Sequence, residues 1–122
     1  MFENDPEIID LGRMAIFFLP ATKLQKTASN GHTHEQNIDE ALTHRFQGFT
    51  KQSMPWEGHY RMGSEVVRDN HTRYEVSFKG GDKVKEFVAL LKTVCREIGE
   101  ESMYLTMGEN SYLVKPNSEP SP

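Results

Sequence analysis

Residues 13–19 read RMAIFFL, a continuous apolar run that stops at Pro20. A strand with one face in water alternates apolar and polar residues, whereas a strand covered on both faces is apolar throughout. The run therefore predicts a central β-strand. Because one layer of helices covers only one face of a sheet, we expect further copies of the chain to cover the other face, in a homo-oligomer that is a dimer or a trimer.

Two segments have the spacing of amphipathic helices. In the first, apolar residues recur every four positions, at Ile38, Leu42 and Phe46. Asn37 precedes Glu40 by three residues, which is the spacing of an N-terminal capping box. Thr33 and Gln36 have the same spacing one turn earlier and are the alternative start. Gly48 is the predicted end of this helix.

The second helix follows the sequence GGD at residues 80–82, where Asp82 is the predicted cap. Its apolar stripe consists of Val84, Phe87, Val88, Leu91, Val94, Cys95 and Ile98. Gly99 ends it. Because Cys95 falls within this stripe, we expect a buried core cysteine rather than a nucleophile.

Four further segments have the character of strands. Residues 49–62 form a strand interrupted by Pro55, which cannot donate to a ladder and so predicts an edge strand, a bulge or a break. Residues 72–78 alternate apolar and polar side chains, as in a half-buried antiparallel strand. Residues 102–107 alternate in the same way, and residues 111–114 are a candidate short strand.

The resulting order is strand, helix, strand, strand, helix, strand. This order predicts an α+β fold of the ferredoxin-like βαββαβ type, an antiparallel four-stranded sheet with two helices on one face. Both crossovers are then right-handed. We expect a single domain over residues 1–115, with a long polar loop at 21–36, and a disordered tail at 116–122.

Net charge, the length of the apolar run and the cysteine count limit the partners that this chain is expected to have. The net charge of -4 argues against nonspecific nucleic-acid binding, which needs a basic face. The apolar run is too short to span a bilayer, and the single cysteine cannot form an intramolecular disulfide. We therefore expect a cytoplasmic protein without a nucleic-acid or membrane partner. No nucleotide-binding fingerprint is present, and no cofactor is expected.

A set of turn and strand-start residues comprises Gly48-Phe49-Thr50, Trp56 with Gly58, Glu65, and Glu101-Ser102. With these residues, the last two-thirds of the chain resembles a family of small bacterial proteins of unknown function that have the ferredoxin-like α/β plait. The plan is also similar to that of the PII-like and CutA-like trimeric sensors, which bind ligands at subunit clefts. The resemblance implies this fold and oligomerisation, and no particular chemistry.

Residues 54–63, MPWEGHYRMG, are the strongest candidate for a ligand site. On a regular strand Trp56 and Tyr60 share one face, and Glu57 and His59 share the other. Such a set suits a small planar or cationic ligand. The alternative is that the aromatic rings pack in the core or on a partner while Glu57 and His59 point to water.

A metal site has weaker support. His32 and His34 form an H-x-H pair with Glu35 beside it, but in a loop this spacing does not fix a common ligand direction, and no third ligand is evident. The sequence therefore predicts no metal, with His32 and His34 as the weak candidates.

We expect a non-enzymatic regulatory or small-ligand-binding protein, with the 21–36 loop and the 54–63 segment as its working surface. One alternative is a small acidic interaction or inhibitor protein of the kind that accompanies mobile elements. The other is a small α+β enzyme that uses His59 or Tyr60 as an acid or base in a cleft with Glu57. Enzymatic activity is therefore undecided and less favoured.

Overall fold

The structure, a computed structural model, describes the backbone of residues 1–62 and 65–118 and the side chains of residues 1–52 and 70–118. Within these ranges the strands are β1 (Arg13–Pro20), β2 (Thr50–Met62), β3 (Glu65–Phe78), β4 (Met103–Met107) and β5 (Asn110–Val114). The helices are α1 (Ala21–Leu24), α2 (His34–Phe46) and α3 (Gly81–Glu97). No helix in the described ranges has both the length and the apolar character that crossing a membrane requires.

The strands form one antiparallel sheet in the order β2-β3-β1-β4-β5. β1 lies at the centre, as its apolar run predicts. The first four strands and the two long helices follow the βαββαβ plan, so the predicted fold class is confirmed. The sheet differs in having five strands rather than four, because residues 110–114 pair with β4.

The core lies between the sheet and the helices. The inward row of β1 is fully buried and consists of Ala15, Phe17 and Leu19. The Phe17 ring stacks on Tyr74 of β3 at a centroid distance of 4.9 Å and meets Phe87 of α3 edge-on at 5.8 Å. Phe46 of α2 contacts the same Phe87 ring at 5.5 Å. Both long helices therefore cover the same face of the sheet.

The helix starts differ in part from the predicted ones. α2 begins with the Thr33–Gln36 capping box: Thr33 Oγ1 accepts from the Gln36 amide at 3.1 Å, and Gln36 Oε1 accepts from the Thr33 amide at 2.9 Å. α3 has no side-chain cap. Gly80 precedes it with a φ of 93°, and Asp82 lies in the first turn, where its charge complements the helix dipole. The prediction of Asp82 as the cap was wrong.

The 21–36 segment has structure of its own. It contains α1, whose Leu24 side chain is fully buried, and an isolated bridge between Thr27 and Thr33. Lys23 Nζ donates to Glu100 Oε2 at 2.9 Å across the domain. These contacts hold the segment against the core and position the start of α2.

β2 is an edge strand, and its pairing register shifts between Gln52 and Trp56, around Pro55. Of the alternatives that Pro55 predicted, the edge strand is confirmed, and an irregularity in the ladder accompanies it. The β1–β3 ladder ends at Pro20 and His71, whereas the β2–β3 ladder continues to Met62 and Glu65. The hairpin thus extends past β1 as a two-stranded ribbon, by about 20 Å at about 3.4 Å per residue.

Candidate functional site

A cluster of charged and polar side chains lies where α2 crosses the edge of the sheet. We call it the Lys51 cluster; it consists of Gln25, Glu35, Asp39, Lys51 and Tyr74. Lys51 Nζ donates to Glu35 Oε2 at 3.1 Å and to Asp39 Oδ2 at 2.6 Å. The Tyr74 hydroxyl donates to Asp39 Oδ1 at 3.1 Å, and Gln25 Nε2 donates to Glu35 Oε1 at 3.1 Å. The cluster therefore joins the 21–36 segment to strands β2 and β3.

Two local periodicities bring these side chains together. Glu35 and Asp39 are four residues apart on α2, so they lie on the same face of the helix. Lys51 and Tyr74 are direct partners in the β2–β3 register, so their side chains leave the same face of the sheet. Packing of α2 on that face then sets the Lys51 ammonium between the two carboxylates.

Burial within the cluster decreases from the sheet outward. The Tyr74 side chain is fully buried, whereas those of Lys51, Glu35 and Asp39 are 22%, 27% and 28% exposed. Burial, and then the negative charges of Asp39 and Glu35, raise the pKa of Tyr74 far above its usual value. Its hydroxyl therefore remains a proton donor over the ordinary pH range.

Lys51 is held in its charged form. Burial by itself would lower the pKa of Lys51, but the hydrogen bonds from its ammonium to Asp39 and Glu35 outweigh burial and raise the pKa. Two carboxylates against one ammonium leave the hydrogen-bonded group with one net negative charge. All four carboxylate oxygens accept a hydrogen bond from within the cluster. Neither acid is therefore arranged as a ready general base.

The aromatic surroundings suit a cation. Lys51 Nζ lies 5.9 Å from the centroid of the Tyr74 ring, and the Phe49 ring lies 5.8 Å from the same centroid. An aromatic face attracts a cation electrostatically, and a nearby carboxylate adds to that attraction. The Tyr74 ring is fully buried and stacked on Phe17, so the cation that it attracts in this structure is the Lys51 ammonium.

The predicted ligand residues Trp56, Glu57, His59 and Tyr60 lie on β2, in the part of the ribbon beyond the bulge. Their backbones pair with residues 71, 70, 68 and 67 of β3. Their side chains lie outside the described residues, so their role in a site stays a prediction. Lys51 is on the same strand, five residues before Trp56. The cluster therefore joins the predicted 21–36 surface to the part of β2 that precedes the predicted 54–63 surface.

The two histidines of the H-x-H pair do not share a strand face. His32 is exposed in the turn before α2, where its amide donates to Asn30 Oδ1 at 3.1 Å. His34 is the first residue of α2. Within residues 1–52 and 70–118 no group of three acidic, histidine or cysteine side chains is close enough to hold a metal ion.

A concave feature lies at the C-terminal end of β3, away from the Lys51 cluster. It is a shallow cavity of about 290 Å³ between the N-terminal arm and the start of α3, and its lining includes Asp10, Arg13, Lys79 and Val84. It contains no residue of the Lys51 cluster and none of the predicted ligand residues.

The sequence indicated only part of the Lys51 cluster. Gln25 and Glu35 fall in the predicted 21–36 surface, whereas Asp39, Lys51 and Tyr74 carried no functional prediction. The predicted alternation of residues 72–78 puts Tyr74 on the apolar face of the strand, and the Tyr74 side chain is buried. The available signal was the i,i+4 spacing of Glu35 and Asp39 on a predicted helix. Lys51, which pairs with both acids, lies on β2, and sequence spacing alone does not predict that β2 brings it next to α2.

Comparison with known proteins identifies a shared fold. No family model and no curated protein matches the sequence. Among solved structures, a phage SAM lyase in complex with S-methyl-5'-thioadenosine matches with a TM-score of 0.56 and 12% identity, over 91% of this chain and 95% of that chain. A phage SAM lyase in the apo state matches with a TM-score of 0.56 and 16% identity, over 93% and 98%. The likeness shows a common fold along nearly the whole of each chain.

This finding corrects the functional prediction. The expectation of a non-enzymatic regulatory or small-ligand-binding protein was wrong, because both of these structures with the same fold are of an enzyme. An enzymatic role, which the sequence left undecided, is therefore open for this chain. The resemblance to ferredoxin-like proteins of unknown function stays a prediction, since neither match bears on it.

Proposed function

We propose that the protein is a lyase that cleaves S-adenosylmethionine (SAM) to S-methyl-5'-thioadenosine. The observation that carries the proposal is the fold match to a SAM lyase holding S-methyl-5'-thioadenosine, which covers 91% of this chain and 95% of the other. A match of that extent reflects the arrangement of the whole domain rather than one motif. A cytoplasmic location is part of the proposal, because a single cysteine suits a reducing compartment.

The reaction breaks the bond between the sulfonium sulfur and the γ-carbon of the methionine part. Sulfur takes the bonding electron pair and becomes the neutral thioether of S-methyl-5'-thioadenosine. The γ-carbon gains a new bond from the substrate's own carboxylate oxygen, which closes a five-membered lactone. This route consumes no water and needs no external base, and its atoms and charges balance within one molecule.

The Lys51 cluster fits the charge of this substrate. SAM carries an ammonium, a sulfonium and a carboxylate, a net charge of about +1, and the cluster carries one net negative charge on partly exposed side chains. We assign Glu35 and Asp39 the role of attracting the cationic part. Lys51 uses two of its three N–H donors on these acids, and we assign the third to the substrate carboxylate.

The hydrogen bonds that Glu35 and Asp39 already accept support the route in which the substrate's own carboxylate attacks the γ-carbon. Because every carboxylate oxygen of Glu35 and Asp39 already accepts a hydrogen bond, proton abstraction by either acid would first require that network to open. The charges on the sulfonium and on the carboxylate also decrease as the lactone forms. Attraction to the cluster is therefore stronger for the substrate than for the transition state, and it acts on substrate binding rather than on the chemical step.

The test is to incubate the purified protein with SAM and quantify S-methyl-5'-thioadenosine by liquid chromatography. A blank without protein corrects for uncatalysed breakdown. We expect product above the blank with no methyl acceptor present, and the four-carbon fragment as a lactone in the NMR spectrum. Absence of product above the blank contradicts the proposal.

A variant then connects the activity to the cluster. Asp39→Asn keeps an acceptor for the Tyr74 hydroxyl but removes a charge, so we expect KM to rise by about three- to tenfold while kcat does not fall. Glu86→Gln is the matched control, because Glu86 pairs with Arg45 at 3.0 Å on the exposed helical surface. A loss of kcat with unchanged KM in Asp39→Asn would contradict the assigned role.

A further inference from the structure

A cavity of about 290 Å³ lies between the N-terminal arm, residues 1–12, and the start of α3. It is found at the end of the sheet where β1 begins and β3 ends, because Arg13 and Phe78 are register partners and both line it. Binding sites for drug-sized molecules have volumes of about 300–1,000 Å³. The cavity is therefore of the size that suits a small metabolite.

Three charged side chains line this cavity, those of Asp10, Arg13 and Lys79. In the part of the chain that the structure describes, none of the three forms an ion pair. Asp10 Oδ1 accepts from the Gly12 amide at 2.7 Å, and among the described residues no donor meets Oδ2. The cavity therefore presents two positive groups and one negative group to a ligand.

Arg13 stands in a row of side chains that is otherwise apolar. Alternate residues of a strand share a face, so Arg13 lies on the helix-facing side of β1 with Ala15 and Phe17, which are fully buried. Its register partner, Phe78, is only 5% exposed and contacts Phe87 of α3 at a centroid distance of 4.9 Å. Arg13 is therefore directed toward the helical layer, at the rim of the core where the cavity lies.

The backbone of the arm holds the other two charges beside Arg13. A Cβ at Gly12 would lie 2.5 Å from Lys79 Cγ, so the stem of the lysine packs directly against the arm. The hydrogen bond from the Gly12 amide to Asp10 closes a turn and brings the carboxylate to the same place. All three charges are therefore held around Gly12, the residue immediately before Arg13.

This mixture of charges limits the class of ligand. A phosphate or a nucleic acid favours positive groups alone and would be repelled by Asp10. A metal cation would be repelled by Arg13 and Lys79. A free α-amino acid carries an ammonium and a carboxylate on one carbon atom, so it can pair with both signs at once. Val84 of α3, which is partly buried and also lines the cavity, offers an apolar wall for its side chain.

We propose that this cavity is a binding site for a free α-amino acid with an apolar side chain. The carboxylate of the ligand accepts hydrogen bonds from Arg13 and Lys79, and its ammonium donates to Asp10. The side chain of the ligand lies against Val84. The site shares no residue with the Lys51 cluster, so it does not depend on the proposed lyase activity.

The test is a titration followed by amide NMR spectra, with L-leucine as the probe. Leucine has neither the sulfonium nor the adenosine of SAM, so it does not report on the proposed lyase site. We expect the amide signals of residues 10–13 and 79–84 to shift. N-acetyl-L-leucine lacks the ammonium and L-leucinamide lacks the carboxylate, so each should bind at least about tenfold more weakly than leucine.

Two variants then assign the charges. Asp10→Asn keeps an acceptor for the Gly12 amide but removes the negative charge, so the preference for leucine over N-acetyl-L-leucine should fall to within about threefold. Arg13→Gln combined with Lys79→Gln should reduce the preference for leucine over L-leucinamide to the same extent. All three side chains are exposed, so we expect both variants to fold.

Two controls separate this site from general effects of charge. Asp5 Oδ1 accepts from an amide two residues along the arm at 3.0 Å, as Asp10 does, but Asp5 lies outside the cavity, so Asp5→Asn is the matched control. Lys85→Gln, at an exposed position of α3, is the control for the cations. Neither should change either preference. An absence of shifts at about 10 mM leucine overturns the proposal. So does equal binding of leucine and its analogues, a preference that survives the cavity variants, or one that is lost in the controls.

Discussion

Replacing Glu35 with Gln removes one negative charge from the Lys51 cluster while keeping the side chain's shape and an acceptor for Lys51 or Gln25. Replacing Lys51 with Met removes the cluster's positive charge. The two substitutions change the net charge in opposite directions. If the cluster selects a cationic ligand by charge, Glu35→Gln should weaken that selection and Lys51→Met should strengthen it.

The size of the effect follows from Coulomb's law. For a ligand cation beside the cluster we take a separation of about 6 Å from the Glu35 carboxylate, beyond the 3.1 Å at which Lys51 Nζ already lies. Two unit charges about 6 Å apart interact by about 0.7 kcal/mol in water and about 2.8 kcal/mol at an effective dielectric constant of about 20. Because the Glu35 side chain is 27% exposed, screening favours the lower part of this range. About 1 kcal/mol is about fivefold in a dissociation constant.

The assay compares two SAM analogues by isothermal titration calorimetry. Sinefungin has an amine-bearing carbon in place of the sulfonium and is cationic there, whereas S-adenosylhomocysteine is a neutral thioether. The measured quantity is the ratio of their dissociation constants, since a general loss of binding cancels in a ratio. We expect this preference for the cation to fall about fivefold in Glu35→Gln and to rise about fivefold in Lys51→Met.

Lys83→Met and Glu86→Gln are matched controls, because Lys83 and Glu86 form an exposed ion pair on α3 at 3.2 Å. Neither should move the ratio. Shifts in the same direction for Glu35→Gln and Lys51→Met, or no shift in either, would refute the charge argument and leave the lyase proposal standing. If neither analogue binds the wild-type protein and no S-methyl-5'-thioadenosine forms, the lyase proposal itself is refuted.

Two further predictions concern the fold. Gly12 has a φ of 91°, and a Cβ there would lie 2.3 Å from the Phe78 carbonyl oxygen, so Gly12→Ala should destabilise the protein by about 2 kcal/mol or more. Gly31→Ala, at a φ of 87° with nothing within 4 Å, should cost only about 1 kcal/mol; equal losses in urea denaturation would contradict the clash. Burial, and then the charge of Glu100, raise the pKa of the Cys95 thiol from 9.0 to about 11. At pH 8 its reaction with a disulfide reagent should be at least about a hundredfold slower in the folded protein than in denaturant, and should speed up as pH rises toward 11; similar rates in the two states would refute this.

Local sequence patterns were sufficient for the plan of the domain. The period-2 alternation of residues 72–78 and the helical spacing of the second helix each specify one buried face. Pro55 signalled the break in an edge strand because proline lacks the donor that a ladder needs, and the β2–β3 register shift lies there. The unbroken apolar run of residues 13–19 signalled the central strand.

The sequence did not decide where a helix begins when two sets of residues have the spacing of a cap. Asn37 with Glu40 and Thr33 with Gln36 have the same capping spacing, and only the path of the chain into α2 selects Thr33. Asp82 had the chemistry of a cap, but the helix begins two residues earlier than that prediction requires, after Gly80 at positive φ.

By itself, the sequence determined the order of the long helices and the strands and which of their rows are apolar, because these depend on neighbours within a few positions; it did not predict α1, which lies in the predicted 21–36 loop. Tertiary structure decided the site. Glu35 and Asp39 on α2 meet Lys51 on β2 and Tyr74 on β3 only because the register pairs the two strands and α2 packs across them. That contact spans up to 35 residues of sequence between Asp39 and Tyr74. No local periodicity in the sequence indicates this contact, because the charged groups come within reach of one another only after the apolar faces have packed.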